Sequence, residues 1–349
     1  MKRIFLCLIT VLFIQFLSAQ NERYKIHTIA FYNLENLFDT IDDPNKMDEE
    51  SPILKIKQGR KKIYSQKLNN MSKVLSEIGL EKTKTTPSLI GVAEIENRKV
   101  LEDLISTDYL KFKNYGIIHY DSPDQRGIDV GLLYKKEVFI PISHQNFELK
   151  IWSDKGYRIF TRDQLLVSGY LENELIHLII NHWPSRRGGE KRSKHLREKA
   201  AFLNKKICDS IFNSDANSKI ILMGDLNDDP TNASLKKILE TKNHKEKTAS
   251  TQWYNPFEQL FKEGYSTLGY RDNLNLFDQI IINGNLLSKE NNYHELKFYQ
   301  VRIFNPNYLS VSKGKYKGYP FRSFSNGSFS NGYSDHYPVY MFLLKKHQQ

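Results

Sequence analysis

The run Ile220-Ile221-Leu222-Met223-Gly224-Asp225-Leu226-Asn227-Asp228 sets an unbroken apolar stretch against a glycine and then polar side chains. A short apolar run without alternation reads as a strand covered on both faces, which calls for helices packed on a sheet. The polar residues after it fall at the strand's C-terminal end, where α/β architectures place ligands and chemistry.

The same unit recurs on either side. Asn33 and Glu35 follow Ile29-Ala30-Phe31-Tyr32, Glu94 follows Leu89-Ile90-Gly91-Val92-Ala93, and Asn181 and His182 follow Leu178-Ile179-Ile180. Each alone reads as a turn or a helix cap, but their recurrence at strand ends is harder to dismiss. Strands are predicted over 26–32, 88–93, 130–134, 165–170, 175–180, 220–223, 279–282 and 337–344. Helices are predicted over 63–78, where Leu68, Met71, Val74, Leu75 and Ile78 form an apolar face, and over 190–212. In the second helix Lys191, Arg192, Lys194, Arg197 and Lys199 read as a solvated face. Strands and helices mixed along the whole length indicate an α/β or α+β fold. No linker divides it, so residues 21–349 are expected to form a single domain.

The residue types fit one chemistry. Carboxylate and amide oxygens at Glu94, Asp225, Asn227, Asp335 and Asn33 suit a hard divalent cation: Mg²⁺ first, with Mn²⁺ or Ca²⁺ accommodated. The sequence has no cysteine cluster and no His-Glu-x-x-His, so a zinc site has little support. Such a cation polarises a phosphoryl oxygen, and histidines that titrate near neutrality activate water and protonate a leaving alkoxide. Asp278, at the head of another apolar strand, is placed to fix the tautomer of one histidine. That set describes hydrolysis of a phosphate ester.

Asn33-Leu34-Glu35-Asn36, Ala93-Glu94-Ile95-Glu96-Asn97, Asn181-His182-Trp183-Pro184-Ser185-Arg186, Gly224-Asp225-Leu226-Asn227-Asp228, Phe277-Asp278-Gln279-Ile280 and Ser334-Asp335-His336-Tyr337-Pro338 occur in this order. In that order they resemble the endonuclease/exonuclease/phosphatase superfamily, most of all its DNase I-like secreted bacterial nucleases. The resemblance spans about Ile26 to Leu344. It implies a four-layer sandwich of two packed mixed β-sheets flanked by helices, with the site at one edge. It also implies that Glu94 is the main metal ligand, with Asn33 and Asp335 close to the metal or the phosphate. Asp225 and Asn227 would orient the attacking water and the scissile phosphate. His336, supported by Asp278, would act as general base or stabilise phosphorane-like charge, and His182 would be the acid on the leaving-group side. Members specialised for abasic-site repair carry tyrosine at that place, so His182 argues against that activity. Arg126, in a loop similar to a family loop, would approach a phosphate. Ser185, Arg186 and Arg187 either offer donors to phosphates or form a solvated basic turn. No separate ligand set for a structural Ca²⁺ ion is evident.

Residues 1–20 read as a secretory leader: Lys2 and Arg3, an apolar run from Ile4 to Leu17, then Ser18-Ala19-Gln20. An exported location, secreted or periplasmic, is therefore expected. Beyond the leader only Cys208 remains, which excludes an intramolecular disulfide. The formal net charge of +11 favours polyanions or anionic headgroups without choosing between them.

Substrate choice stays open at this point. A nucleic acid, DNA or RNA, is the first reading. The alternative is a phospholipid or small phosphoester, as in sphingomyelinase-like relatives. Region 305–332 contains the tandem Ser323-Phe324-Ser325-Asn326-Gly327 and Ser328-Phe329-Ser330-Asn331-Gly332. It reads as an irregular surface loop. Under the lipid alternative Phe304, Tyr308, Tyr316, Tyr319, Phe321, Phe324 and Phe329 would enter a membrane, and Lys313, Lys315, Lys317 and Arg322 would meet headgroups. A non-catalytic binding module is a third reading, opposed by the filled catalytic positions. No obligate protein partner is implied.

Overall fold

Along Ile29-Ala30-Phe31-Tyr32 successive side chains point to opposite faces, and both sets are buried. Ile29 and Phe31 join one core cluster, Ala30 and Tyr32 another. Ile221 and Met223 share the first cluster from a second sheet, while Ile220 and Leu222 face a third. Two sheets packed face to face and covered outside satisfy this pattern. The computed structural model has this arrangement and describes residues 23–153, 155–288 and 290–347; the leader expected over 1–20 lies outside them.

The first sheet comprises β1 (Tyr24–Leu37), β2 (Leu89–Ile95), β3 (Tyr115–His119), β4 (Asp129–Lys135), β11 (Lys297–Ile303) and β12 (Val339–Lys346), in the order β11-β12-β1-β2-β4-β3. The second comprises β5 (Phe139–Phe147), β6 (Gln164–Leu171), β7 (Glu174–His182), β8 (Lys219–Asp225), β9 (Trp253–Tyr254) and β10 (Asp278–Asn283), in the order β9-β10-β8-β7-β6-β5. Each sheet holds one parallel pair at its centre, β1 with β2 and β8 with β7, among antiparallel neighbours. The outer faces are covered by α1 (Arg60–Glu77) and α2 (Arg98–Ile105) on the first sheet and α3 (Glu190–Ser214) on the second. The four-layer sandwich expected from the sequence is therefore present.

Asn97, quoted above as part of a motif, is a helix cap. Its Oδ1 accepts the Val100 N–H at 3.1 Å, which contributes about 1 kcal/mol to starting α2. Two sequence readings are corrected. Arg197 is not on a solvated face: it is fully buried between Ser193 and Ala200 on the inner stripe of α3. Region 305–332 is not irregular throughout: Phe324–Ser325 pairs with Ser328–Phe329 in a hairpin. Its turn residues Asn326 and Gly327 both have positive φ (49° and 72°), the geometry that matches strand twist. Phe324 is buried against Phe38, Ile53, Leu54 and Ile128. The two copies of the repeat thus differ, Phe324 packing into the body and Phe329 lying against it at 5.5 Å.

Candidate active site

Parallel pairing brings the C-terminal ends of two strands to the same edge. Asn33 is in register with Ala93, next to Glu94, and Asp225 is in register with His182. The antiparallel neighbours bring their starts to that edge. Asp278 sits opposite Asp225, and Val339 opposite Phe31, so Asp335 and His336 arrive just before β12 begins. Gly224 permits the close approach of β8 to β7, because a Cβ there would stand 2.3 Å from the Asn181 carbonyl oxygen.

Both strands of the β1–β2 pair are irregular where chemistry is expected. Register shifts between Asn33 and Leu37 and between Ala93 and Ile95, and Glu35, Asn36 and Glu94 take positive φ (46°, 51° and 57°). For residues with a Cβ this conformation is strained, and the neighbours hold it. Asn33 Nδ2 donates to Glu94 Oε1 at 3.2 Å and to Asp225 Oδ2 at 3.0 Å, while the Asn36 N–H donates to Glu94 Oε2 at 2.9 Å. Ser334 Oγ donates to the Asn33 carbonyl at 2.7 Å and accepts the His336 N–H at 3.1 Å, joining the two ends of the site.

At this edge, among the described residues, two groups of side chains bring metal-binding atoms within 4.8 Å of one another: Glu94, His182 and Asp225, and Asp225, Asp278 and His336. Asp225 belongs to both. The donors are mostly carboxylate oxygens, and Glu94 Oε1 and Asp225 Oδ2 share the Asn33 amide, so the set fits a hard divalent cation centred on Glu94 and Asp225.

The two histidines sit in opposite fields. His336 Nδ1 lies 2.7 Å from Asp278 Oδ2, and its Nε2 faces Asp225 Oδ2 at 3.9 Å. Burial alone would lower it, yet Asp278 and Asp225 raise it well above the ordinary histidine range. His182 Nε2 stands 3.6 Å from Asp225 Oδ2 and 3.8 Å from Glu94 Oε1. Burial, then Arg162 and Arg126, hold it well below that range. Asp225 between them is pushed up to about 7, burial outweighing the pull of His336. Asn227 closes the loop: its N–H donates to Asp225 Oδ1 at 3.0 Å and its Nδ2 to the Trp183 carbonyl at 3.1 Å.

The expected site residues are brought together at this edge, except Asp335 and the phosphate-binding candidates. Asp335 lies outside both metal-capable groups and accepts from Arg322 Nη2 at 3.0 Å. Arg126 is partly exposed beside Asp124 at 3.5 Å and is near enough to act on His182. Ser185 and Arg187 are exposed. Arg186 is committed to the fold: its guanidinium donates to the Asn227 carbonyl at 2.9 Å, to Asp229 at 3.2 Å and to Asn232 at 3.2 Å, and stacks 4.4 Å from the Phe277 ring centre.

Four residues of the site escaped the sequence reading. Arg162 is buried, pairs with Asp124 at 3.2 Å and donates to the carbonyls of His182 (3.2 Å) and Trp183 (2.6 Å). Glu35, noted only as a strand-end residue, is buried and takes Arg322 Nε at 3.0 Å and the Ser323 N–H at 2.6 Å. Burial and Asp335 push it up to about 7 against Lys67 and Arg322. Buried Lys67 donates to the carbonyls of Glu35 and Asn36, holding the positive-φ turn. Arg322 bridges Glu35 and Asp335 instead of facing outward from its loop. The Ser-Phe-Ser-Asn-Gly repeat beside Arg322 was the one available signal for it.

Residues 28–345 match the model of the Endonuclease/Exonuclease/phosphatase family. No curated protein matches the sequence. Among solved structures, a humanized D. rerio TDP2 carrying 14 mutations is similar with a TM-score of 0.53 at 13% identity, covering 91% of this chain and 98% of that one. A mannosyl-6-phosphatase of Bacteroides thetaiotaomicron VPI-5482 is similar with a TM-score of 0.52 at 15% identity, covering 91% and 99%. An endonuclease/exonuclease/phosphatase family protein of Bacteroides thetaiotaomicron gives 0.52 at 14% identity, covering 93% and 100%.

Proposed function

The chain belongs to the Endonuclease/Exonuclease/phosphatase family, and from that premise we propose that it is an exported, divalent-metal-dependent phosphodiesterase acting on DNA or RNA, of the DNase I-like kind. Phosphoester hydrolysis follows from the family and the edge site. The nucleic-acid substrate is supported by one observation: a cluster of exposed aromatic rings lies on the segment that runs into Arg162 of the site. Trp152, Tyr157 and Phe160 are 53%, 72% and 45% exposed, and Arg158 stacks on Trp152 and Phe160 at 5.1 and 5.6 Å. Phe160 lies two residues before Arg162, which holds the His182 carbonyl. Exposed rings stack on bases of any sequence, each worth about 1–3 kcal/mol.

A divalent cation at Glu94 and Asp225, Mg²⁺ first, supplies charge neutralisation at the phosphoryl oxygens. The chain's own groups divide the rest. Asp225, fixed by the Asn33 amide and the Asn227 N–H, orients the attacking water and accepts its proton. His336, held cationic by Asp278, faces the charge that develops on the phosphorus oxygens. This favours its stabilising role over that of a base. His182 is neutral at rest, so donation to the leaving oxygen requires it first to gain a proton. A bound phosphate favours that step by offsetting Arg162 and Arg126.

The lipid alternative has less support, since of its seven aromatics only Tyr316 is exposed, five are half-buried and Phe324 is buried. The deciding measurement is a panel of plasmid, single-stranded DNA, RNA, sphingomyelin, a sugar phosphate and a simple phosphodiester, in Mg²⁺, Mn²⁺ and Ca²⁺, with Glu94→Ala purified in parallel. DNA or RNA cleavage is expected from the wild type alone and lost in EDTA. Sphingomyelin or sugar-phosphate turnover without nucleic-acid cleavage overturns the substrate. For export, the chain recovered outside the cytoplasm is expected to begin at Asn21; an uncleaved cytoplasmic chain refutes it.

A further inference from the structure

The hairpin over 324–329 is fixed to the active-site edge by contacts that do not involve the Arg322 side chain. The Ser323 N–H donates to Glu35 Oε2 at 2.6 Å, Ser330 Oγ donates to the Ser323 carbonyl at 2.9 Å, and Phe324 is buried in the body. Arg322, at the foot of the hairpin, adds little to that anchoring: its side chain is 51% exposed, and ion pairs so open to water contribute little stability. The support beneath it is nonetheless costly to build. Glu35 is 1% exposed and sits in a positive-φ turn, which buried Lys67 holds through the Glu35 and Asn36 carbonyls.

What this support does is orient a guanidinium. Arg322 Nε donates to Glu35 Oε1 at 3.0 Å and its Nη2 to Asp335 Oδ2 at 3.0 Å, so one edge of the planar group is taken by two carboxylates. Among the described residues Nη1 has no hydrogen-bond partner, and the second N–H of Nη2 stays free with it. The Nη1–Nη2 edge is therefore an unused fork, the geometry that matches two oxygens of a phosphate. A backbone bridge between Arg322 and Tyr333, two residues before Asp335, fixes its place, and Glu94 is near enough to act on its charge. Asp335 belongs to neither metal-capable group of this edge, so the guanidinium stands one side chain out from the atoms that would hold the scissile phosphate.

We propose that Arg322 binds the backbone phosphate next to the scissile one through its free Nη1–Nη2 fork, with Glu35 as the positioning residue beneath it. The inference rests on the nucleic-acid reading above and deepens it: the site selects a chain of linked phosphates over a lone phosphodiester. Pre-orientation by two carboxylates means that little side-chain freedom is lost when the phosphate arrives.

The test is steady-state cleavage of two oligonucleotides by the full chain in MgCl₂. One has ordinary phosphodiester linkages throughout; in the other a single ordinary linkage is flanked on both sides by uncharged methylphosphonates. Arg322→Gln is expected to raise KM for the first about tenfold or more, with a smaller change in kcat, as one charge-assisted fork is lost. The wild type is expected to show a similar rise in KM on the second, where Arg322→Gln adds less than about twofold. Glu35→Gln is expected to raise KM for the first and to add nothing in the Arg322→Gln background. A KM within about twofold of wild type on the first oligonucleotide, or the full penalty persisting on the second, overturns the proposal. An additive effect of Glu35→Gln overturns its positioning role. Should Arg322→Gln fail to fold, Arg322→Lys, which keeps the charge and loses the fork, enters the same comparison with the same deciding outcomes. No cleavage of either oligonucleotide by the wild type refutes the nucleic-acid reading and this inference with it; the other adverse outcomes leave that reading standing.

Discussion

Replacing Arg197 with methionine tests whether the loop bearing Asp225 and Asn227 is held from behind by a buried ion pair. Arg197 is fully buried; its Nε donates to Asp228 Oδ1 at 2.6 Å and its Nη1 to Ser193 Oγ at 2.8 Å. Asp228 is buried too, and burial raises its carboxyl although Arg197, Ser234 and Arg186 all pull it down. The pair therefore adds little beyond the cost of burying it, whereas removing one partner alone is expensive, typically about 3–5 kcal/mol. Ser234 Oγ at 2.6 Å and Arg186 Nη2 at 3.4 Å stay with the carboxylate, which places Arg197→Met near the low end, about 3 kcal/mol. For a chain of this size that corresponds to a melting temperature lower by about 4 °C. The deficit should depend on pH in a definite direction. Without Arg197 the folded-state pKa of Asp228 rises further above its unfolded value, so the folded protein gains protons more readily. The loss is then full at pH 8 and shrinks toward pH 5 as Asp228 becomes neutral. Urea unfolding at both pH values gives the number, and Arg197→Met/Asp228→Asn completes the cycle. The double variant should return to within about 1 kcal/mol of the wild type, since no charge is left stranded. If Arg197→Met costs under 1 kcal/mol, or the double variant is no better than the single, the anchoring argument is wrong.

Asp278→Asn keeps the shape beside His336 but removes the charge that holds it cationic; kcat should fall about 10²- to 10⁴-fold with a normal melting temperature, and activity within threefold of wild type would falsify the pairing. Arg186→Ala should destabilise by about 2–3 kcal/mol because it strips several charge-assisted hydrogen bonds. Exposed Arg187→Ala should leave stability alone and reduce the salt slope of DNA binding by about 1, as read by anisotropy titrations from low to high salt. Asp163 is pushed up to about 6 by burial despite the Asn146 amide at 2.8 Å, so its ionised form burdens the fold above that pH. Asp163→Asn should gain about 1 kcal/mol at pH 7.5, a gain that vanishes as pH falls from about 6 to below 3.8; equal gain at pH 3.5 contradicts the sign.

In the two six-stranded sheets the strands legible in the sequence were those covered on both faces, and the four that were missed, β3, β5, β9 and β11, are the edges of those sheets. An edge strand is covered less completely, and the burial of β5 and β11 follows neither period cleanly. The catalytic edge was legible because parallel pairing makes C-terminal ends coincide, so local signals 33, 94, 182 and 225 add up without any knowledge of the pairing. The arginines were not legible. Arg197, Arg186, Arg162 and Arg322 all end on carboxylates or carbonyls far away in sequence, and composition cannot tell a solvated cation from a committed one. Besides the repeat beside Arg322, only Arg197 left a trace, since it falls on the stripe Ser193, Arg197, Ala200, Ala201, Asn204, Ile207 at helical spacing.

The pairing of β1 with β12 also governs how the molecule answers to force. Tyr24 lies in register with Lys346, and the His347 N–H donates to the Arg23 carbonyl at 2.8 Å, so both described ends leave side by side. Asn33 is nine residues along β1, about 30 Å away, and His336 precedes the far end of β12. A pull on the two ends therefore opens a zipper, breaking one pair of hydrogen bonds at a time instead of shearing the ladder at once. The tear begins at the edge opposite the chemistry and reaches Asn33 last. Tethered by either end to a surface or a partner domain, the protein keeps its working edge turned away from the anchor and is the last part of the strand pair to feel the load.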